Sequence, residues 1–236
     1  KPFGSYGSVQ PFGLKALGLF ASQEEIDNSP KQTYGEYRVG DIRYQDINGD
    51  GVIDSQDEVA LGYTNMPEIV YGFGATAQWK NWDFNVFFQG VAHTSFFLAG
   101  ASLRSPFSSG SMERSAVNED IYGNVWMSTN TPEQNDRAIY PRLSLSNQAG
   151  SSNNNQTSDW WLRDGSFLRL KNFEIGYTLP KKLLGKNFIR SLRFYVAANN
   201  LLTFCNFKLW DPEKGSSDGS GYPLNRVVTL GFNINL

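Results

Sequence analysis

Cysteine, histidine and long apolar runs are scarce in this sequence of 236 residues, and each scarcity excludes a class of structure. The single cysteine, Cys205, excludes an internal disulfide framework and any zinc site built from cysteines. No stretch approaches the roughly 18 consecutive apolar residues of a membrane-spanning helix, so a membrane crossing would have to use strands. The balance of 21 basic and 23 acidic residues, without a basic run, argues against nucleic acid as a partner.

Catalytic signatures are also missing. The only histidine, His93, has no serine or cysteine nucleophile in a suitable context. The segment GFGATA at 72–77 resembles a dinucleotide-binding fingerprint by its letters alone, because a strand continues where the helix should begin. No pair of acids suited to glycoside hydrolysis stands out. We therefore expect no enzymatic activity.

The final eleven residues, RVVTLGFNINL, follow a two-residue period. Apolar side chains from Val228 to Leu236 alternate with polar or small ones, which predicts a strand with one apolar and one polar face. Eleven residues at about 3.3 Å each, tilted roughly 45°, span about 25 Å, the height of the apolar band of an outer-membrane barrel. The closing strand of a soluble β-sandwich would alternate in the same way, so both architectures stay open at this point.

The same stretch carries a second pattern. Thr229, Gly231, Ile234 and Leu236 fit polar-x-Gly-x-x-apolar-x-apolar, which resembles the C-terminal signal read by the bacterial barrel-assembly machinery. Many such signals end in an aromatic residue, and Leu236 departs from that rule. The pattern favours a barrel over a sandwich.

Residues 69–92 predict a β-hairpin. Apolar and polar residues alternate on both sides of a two-residue connection, Lys80-Asn81. Trp79 and Trp82 flank this turn at the same height, as aromatic girdle residues do at a membrane interface. A cross-strand pair in a soluble sheet would look similar.

Residues 166–236 predict three more strands, the first two joined by a short connection at about 180–190. The apolar phase changes within the strand that starts at Phe167. Either a bulge lies near Lys171-Asn172, or the outer end of the strand carries Arg169 and Lys171 outward.

Long irregular stretches separate the strands, at 1–68, 93–165 and about 204–225. Outer-membrane barrels have short periplasmic turns and long outside loops. We therefore predict that 1–68, 93–165 and about 204–225 are extracellular, and that 69–92 and 166–236 hold the transmembrane strands. The short turn at about 180–190 and the C-terminus are predicted to be periplasmic.

Two local patterns lie within these loop regions. Ser22 to Glu25 has the sequence of a capping box, which predicts a short helix that ends near Asn28 to Pro30. The run from Ser144 to Ser158, SLSNQAGSSNNNQTS, is low in complexity, and we expect it to be exposed.

The sharpest chemical motif is DINGDGVIDSQD at 46–57. Gly51 falls at position 6 of a calcium-binding loop, and the ligand positions 1, 3, 5, 7, 9 and 12 are occupied by Asp46, Asn48, Asp50, Val52, Asp54 and Asp57. Val52 would contribute its carbonyl, and Asp57 is one methylene shorter than the usual glutamate. We predict a calcium ion, with magnesium as the alternative, that staples the loop; a solvated turn without a cation is the competing interpretation.

Six segments resemble one known family, in that family's order. They are GDIRYQDINGDGVIDSQDEVALG, PEIVYGFGATAQWKNWDFNVFFQG, TPEQNDRAIYPRLS, SDWWLRDGSFLRLKNFEIGYTLPKKLL, SLRFYVAANNLLTF and RVVTLGFNINL. Together they cover almost the whole chain and are similar to the C-terminal part of SusC-like (RagA-like) TonB-dependent transporters of Bacteroidetes.

The resemblance implies an all-β fold in which the chain forms the last five or so antiparallel strands of a transmembrane β-barrel, 22-stranded in the family. It implies an outer-membrane importer of oligosaccharides or peptides, driven through TonB and covered by a SusD-like lipoprotein. The plug, the TonB box and most strands are missing here, and KPFGSYGSVQPFG at the start is no signal peptide. Because five open strands leave unpaired edges, we expect the remaining barrel, its plug and membrane lipid as partners.

Two other interpretations stay open. One is a secreted, calcium-stabilised β-sandwich that binds carbohydrate, and the other is an assembly module that transports nothing. In the sandwich the apolar sides of the strands pack on each other. In the transporter they face lipid, and a wet lumen receives the polar side chains of Gln78, Asp83, Asn85, Arg193 and Asn233.

For the cargo, the sequence offers Trp160, Trp161 and Trp210 as exposed loop aromatics able to stack on sugar rings. Packing within the loops, or a place in the interface girdle, is the plainer alternative.

Overall fold

The computed structural model describes residues 10–99, 119–144, 152–185, 188–214, 219, 221–222 and 224–236. The chain forms two compact units. The first combines Lys1–Thr64 with Phe96–Arg163, and the second combines Asn65–Ser95 with Asp164–Leu236. Each unit therefore joins two stretches that are distant in sequence. No helix in these described ranges is long and apolar enough to cross a membrane.

The first unit is made of short elements. Its strands pair as β1 (Phe12–Gly13) with β6 (Val59–Ala60), β2 (Ala16–Leu19) with β4 (Ile42–Tyr44), and β3 (Lys31–Gln32) with β5 (Val52–Ile53). Among the described residues its helices are α1 (Gln23–Asp27), α2 (Glu119–Tyr122) and α3 (Pro132–Asp136), and single 3-10 turns occur at Ser55–Asp57, Asn153–Asn155 and Asp159–Trp161.

Ser22 is the N-cap of α1, but the returning hydrogen bond of Glu25 reaches Ala21 and not the Ser22 amide that a capping box requires. The hydroxyl of Ser22 accepts a hydrogen bond from the Glu25 amide at 3.1 Å, and the Glu25 carboxylate accepts one from the Ala21 amide at 2.8 Å. These contacts satisfy amides that have no partner within the helix. The helix ends with Asn28 as its C-cap, so the predicted short helix and its end are confirmed.

A hydrophobic core fills the first unit. Each of the following side chains is at most 1% exposed: Leu14, Phe20, Ile42, Tyr44, Ile53, Leu98, Ile121, Tyr140 and Trp161. Backbone hydrogen bonds join the two distant stretches around Leu14, whose amide donates to Thr157 at 2.8 Å and whose carbonyl accepts from Asp159 at 3.1 Å. The long loops predicted from sequence therefore form a packed unit.

The expectation that the Ser- and Asn-rich run is exposed is wrong for three of its described residues. Asn153, Asn154 and Ser158 are 0%, 4% and 0% exposed. The Gln32 amide donates to Asn153 Oδ1 at 2.7 Å, and the Ile42 amide donates to Asn154 Oδ1 at 2.9 Å. Because buried amides of this kind have their hydrogen bonds satisfied, they serve as polar parts of the core. Residues 145–151 of the run lie outside the described ranges.

The second unit is a five-stranded antiparallel sheet, which confirms the predicted fold class. Its hairpin consists of β7 (Ile69–Trp79) and β8 (Trp82–Ala92). A separate short ladder, β9 (Ser95–Phe97) with β10 (Leu162–Asp164), follows along the chain and belongs mostly to the first unit. The sheet continues with β11 (Phe167–Thr178), β12 (Ser191–Cys205) and β13 (Val227–Asn235), in the spatial order β13-β12-β11-β8-β7; α4 (Lys181–Leu184) and a 3-10 turn at Pro212–Lys214 lie in its connections.

A bulge interrupts the ladder between β11 and β12. Leu170 pairs with Leu202, whereas Asn172 pairs with Asn199, so β12 has one residue more than β11 across this step. Asn200, within the longer stretch, has a φ of 54°, a left-handed conformation that asparagine tolerates better than most residues. Of the two alternatives drawn from sequence, the bulge is confirmed.

Candidate functional site

One face of the five-stranded sheet is apolar, and the apolar side chains of its outer strands are exposed. The register aligns Phe84, Ile175, Val196 and Leu230 across four strands. On the outermost strand, Leu230 is 78% exposed and Phe232 is 63% exposed. A β-sandwich buries side chains of this kind, so the described residues contradict the packing that the sandwich interpretation requires.

An aromatic row crosses this face close to the β7–β8 turn. Every strand contributes one ring at the same level of the register: Trp79, Trp82, Tyr177, Phe194 and Phe232. The Trp82 and Tyr177 centroids are 4.8 Å apart, and those of Phe194 and Phe232 are 6.5 Å apart. An aromatic level of this kind is typical of the interface girdle of a membrane barrel.

The opposite face is polar near the same end of the sheet. The Arg193 guanidinium forms ion pairs with Asp83 and, at 2.5 Å, with Glu174. Asn85 is in register with Glu174. By register this face also carries the remaining residues that were predicted to line a lumen, so all five lie together: Gln78, Asp83, Asn85, Arg193 and Asn233.

A second ionic group lies on the same face at the far end of the sheet. Arg169 is 1% exposed, and its guanidinium contacts Asp211 at 2.5 Å and Glu213 at 3.3 Å. Lys171 contacts Glu213 at 3.2 Å. A buried guanidinium needs such partners, because an isolated buried charge is strongly unfavourable. The sequence carries no signal for this pairing, since 42 residues separate Arg169 from Asp211.

The predicted calcium loop is closed by its own hydrogen bonds. Asp46 accepts from the Gly49 amide at 2.7 Å and from the Gly51 amide at 2.8 Å, one on each carboxylate oxygen. Both glycines have positive φ, 76° and 82°. Asp50 Oδ1 accepts from the Val52 amide at 2.8 Å.

Asp57 holds the two ends of this loop together. It is fully buried, and its Oδ1 accepts from the amides of Ile47 at 2.8 Å and Asn48 at 3.3 Å. Its Oδ2 accepts from the Asp54 amide at 2.9 Å. Position 12 of the motif is therefore a backbone anchor in this structure.

The 46–57 loop supplies the kind of oxygen ligands that a hard cation prefers, but its acidic side chains are not grouped as a metal site requires. Carboxylate, amide and carbonyl oxygens are the ligands that calcium prefers, and a carboxylate oxygen that accepts one hydrogen bond keeps a second lone pair. Among the described residues, however, no three acidic, His or Cys side chains are grouped so that they could hold a metal ion. Calcium binding stays a prediction.

The negative charge of the loop also affects a neighbouring tyrosine. Burial, followed by the negative charges of Glu58, Asp54 and Asp57, raises the pKa of Tyr34 to about 12.

The three candidate tryptophans occupy different environments. Trp161 is completely buried, and its indole donates to the Asn154 carbonyl at 2.8 Å, so the expectation of an exposed stacking surface is wrong there. Trp160, in the same unit, is half-buried and lines a cavity of about 470 Å³. Trp210, in the second unit, is half-buried. It packs edge-to-face on Phe207, with 4.7 Å between the two ring centroids.

Sequence reasoning missed Trp126, which lines the same cavity as Trp160. It stands in an irregular stretch where no periodicity singles it out, and 34 positions separate the two residues (160 − 126). Only the folding of the first unit brings them to one place.

Comparison with known proteins agrees with this geometry. The chain is 33% identical over 236 residues to the TonB-dependent receptor P26 of Formosa agariphila, which covers 94% of this chain and 22% of the relative. It is 25% identical over 225 residues to the TonB-dependent receptor SusC of Bacteroides thetaiotaomicron, covering 94% of this chain and 20% of that receptor. The chain thus spans about a fifth of the length of these curated relatives. No family model matches it.

Solved structures give the same answer for the fold. The RagAB peptide importer in its open-open state superimposes with a TM-score of 0.64 at 22% identity, covering 96% of this chain and 22% of the solved chain. Its closed-closed state superimposes with a TM-score of 0.63, also at 22% identity, covering 95% of this chain and 23% of the solved chain. The relatives are receptors and not enzymes, in agreement with the expected absence of catalysis. Sequence and fold together identify the chain as a SusC-like TonB-dependent receptor sequence that corresponds to the C-terminal part of these outer-membrane proteins.

Proposed function

We propose that this chain forms the C-terminal wall of the barrel of an outer-membrane importer of oligosaccharides or peptides. The observation that supports the proposal best is the two-faced sheet. An exposed apolar face crossed by an aromatic row suits lipid, and an opposite face with the Arg193 ion pairs suits a wet lumen. Within the described residues β7 and β13 are the edge strands of the sheet, and each can pair with a neighbouring strand of the same barrel.

The orientation and the partners belong to the same proposal. Short connections such as Lys80-Asn81 are periplasmic, and the first unit together with the connection after β12 is extracellular. A SusD-like lipoprotein covers the outer side, and TonB supplies energy through the plug. The similarity to the RagAB peptide importer and to the receptor SusC supports a nutrient as cargo.

Deletion of the gene that encodes the chain tests the transport proposal. We expect the deletion strain to lose growth on one class of oligosaccharide or peptide as sole carbon source, and the restored gene to recover that growth. The protein should fractionate with the outer membrane and migrate as a heat-modifiable band. A soluble, monodisperse protein would contradict the proposal.

Topology is tested with single cysteines in a Cys205→Ser background. Gln56 and Lys80 are both exposed. Gln56 lies in the 46–57 loop, and Lys80 lies in the β7–β8 turn. A membrane-impermeant maleimide applied to intact cells should label Gln56→Cys at once. It should label Lys80→Cys only after the outer membrane is permeabilised.

We further propose that the 46–57 loop binds calcium, with magnesium as the weaker alternative, through the predicted ligands Asp46, Asn48, Asp50, Val52, Asp54 and Asp57. Support comes from the oxygen-rich spacing and from the two glycines with positive φ. The ion would neutralise a cluster of carboxylates and fix a loop of the extracellular unit. Its chemistry is structural and involves no catalysis.

A further inference from the structure

The first unit contains a cavity of about 470 Å³, a volume within the range of small-ligand sites. The residues at the end of β2 form one wall. Residues around α3 form another, and Trp160 closes the remaining side. All of these residues belong to the first unit, so the cavity depends on that unit alone.

Two tryptophans give the cavity its aromatic character. Trp126 is held in place from behind, because a Cβ added at Gly40 would overlap its ring and the Trp126 amide donates to the Tyr140 carbonyl at 3.0 Å. Gly40 does not line the cavity, whereas Trp126 does. Trp160 contributes the second indole.

The segment between Trp126 and α3 is fixed by paired amides. The Asn130 side chain donates to the Val125 carbonyl and to Asn135 Oδ1, both at 3.1 Å. The Asn135 side chain donates to the Met127 carbonyl at 3.0 Å. These bonds hold a polar wall in one conformation, which reduces the ordering that a ligand must impose.

One polar group at the cavity is open to a ligand. The exposed Asp136 carboxylate makes no hydrogen bond or ion pair within the part of the chain that the structure describes. Because the indole nitrogen of Trp160 is shielded from water, Trp160 can offer a ligand only its ring. The carboxylate is an acceptor for hydroxyls.

This combination selects a class of ligand. No lysine or arginine is among the described residues that line the cavity, which disfavours phosphates and carboxylates. The Asn130, Asn135 and Asp136 side chains disfavour a wholly apolar ligand. A neutral pyranose ring fits, because its C–H face packs on an indole while a hydroxyl donates to the Asp136 carboxylate.

We propose that this cavity binds one pyranose unit of a neutral oligosaccharide, with Trp126, Trp160 and Asp136 as its contacting residues. The inference rests on the proposed import function and narrows its cargo from oligosaccharides or peptides to neutral oligosaccharides. The site lies in the unit assigned to the outside of the cell, so it would meet the sugar before the sugar enters the barrel.

The test uses the purified full-length receptor in detergent and isothermal titration with maltohexaose, cellohexaose, xylohexaose and mannohexaose. We expect at least one of these to bind, and Trp126→Ala, Trp160→Ala and Asp136→Asn each to weaken its affinity about tenfold. Tyr122→Ala is the matched control, since Tyr122 is 75% exposed in the same unit and does not line the cavity. Asp136→Asn keeps the test decisive if a tryptophan variant fails to fold.

The inference is overturned if all three variants bind as well as the parent receptor, or if only peptides from a casein digest bind. Outer-membrane fractionation and heat-modifiability are measured on every variant. A receptor that assembles and supports uptake but binds no hexaose contradicts this inference alone. A receptor that never enters the outer membrane contradicts the proposed function itself.

Discussion

Arg193 on β12 reaches across β11 to Asp83 on β8 over the bare backbone of Gly176. Asp83 and Gly176 are in register, and a Cβ added at Gly176 would overlap the Arg193 guanidinium. The missing side chain is what allows one arginine to connect three strands, because the same guanidinium also contacts Glu174 on β11. The polar face of the sheet is therefore tied together at its turn end.

Gly176→Ala should displace Arg193 and weaken this connection. We expect a loss of about 0.2 to 1 kcal/mol in barrel stability, the range for exposed ion pairs. Urea unfolding of the full-length receptor in lipid vesicles measures it. In an Arg193→Ala background the glycine substitution should cost nothing further, so additive losses in the double-mutant cycle would contradict the steric explanation.

Gly231→Ala probes a related contact on β13. A Cβ at Gly231 would overlap the ring of Tyr195, its register partner on β12. We expect less of the heat-modifiable folded form, and recovery of that form when Tyr195→Ala is added. Gly123→Ala, where the added atom meets nothing within 4 Å, is the control. If Tyr195→Ala brings no recovery, the glycine acts through the assembly signal and not through packing.

Leu230 and Thr229 are adjacent but lie on opposite faces of β13. Leu230→Lys should destabilise the folded receptor by about 2 to 4 kcal/mol, the cost of a cation on the lipid face near the bilayer midplane. Thr229→Lys should be tolerated, because its face is turned to the polar side. The folded fraction in vesicles measures both, and equal losses would remove the distinction between the faces.

The 46–57 loop gives a prediction that separates metal binding from backbone anchoring. Calcium at about 100 times its dissociation constant should raise the free energy of unfolding of the first unit by about 2.7 kcal/mol. The melting temperature should therefore be higher in calcium than in EGTA. Asp50→Ala should abolish the calcium response, whereas Glu36→Gln should keep it. Asp57→Asn should lower the melting temperature even in EGTA, because Asp57 accepts three backbone hydrogen bonds. Identical melting curves with and without calcium would leave the loop without a cation.

The five long strands could be predicted from sequence because their information is local. Alternation along β13, the two-residue turn after Trp79 and the phase change near Lys171 each occupy a few consecutive residues. A sheet with one lipid-facing side obeys a period of two along every strand. The same periodicity also places Arg193 and Asp83 on one face.

The first unit could not be predicted, because its structure depends on distant pairs. Composition indicates exposure for a run of asparagines, yet Asn153 and Asn154 are buried by bonds to Gln32 and Ile42, more than 100 positions away. Trp161 is buried by the same association. A composition rule has no access to such partners, and neither does a periodicity rule.

Spin labels at Leu230→Cys and Thr229→Cys, in a Cys205→Ser background of the full-length receptor in lipid vesicles, test most directly whether this sheet is a lipid-facing barrel wall. Power saturation compares the access of oxygen, which concentrates in lipid, with that of a water-soluble nickel complex. If the apolar face meets lipid, oxygen relaxes the label at Leu230 and nickel relaxes the label at Thr229. A label at Leu230 that neither reagent reaches would place that face inside a protein core and would rule out a lipid-facing wall.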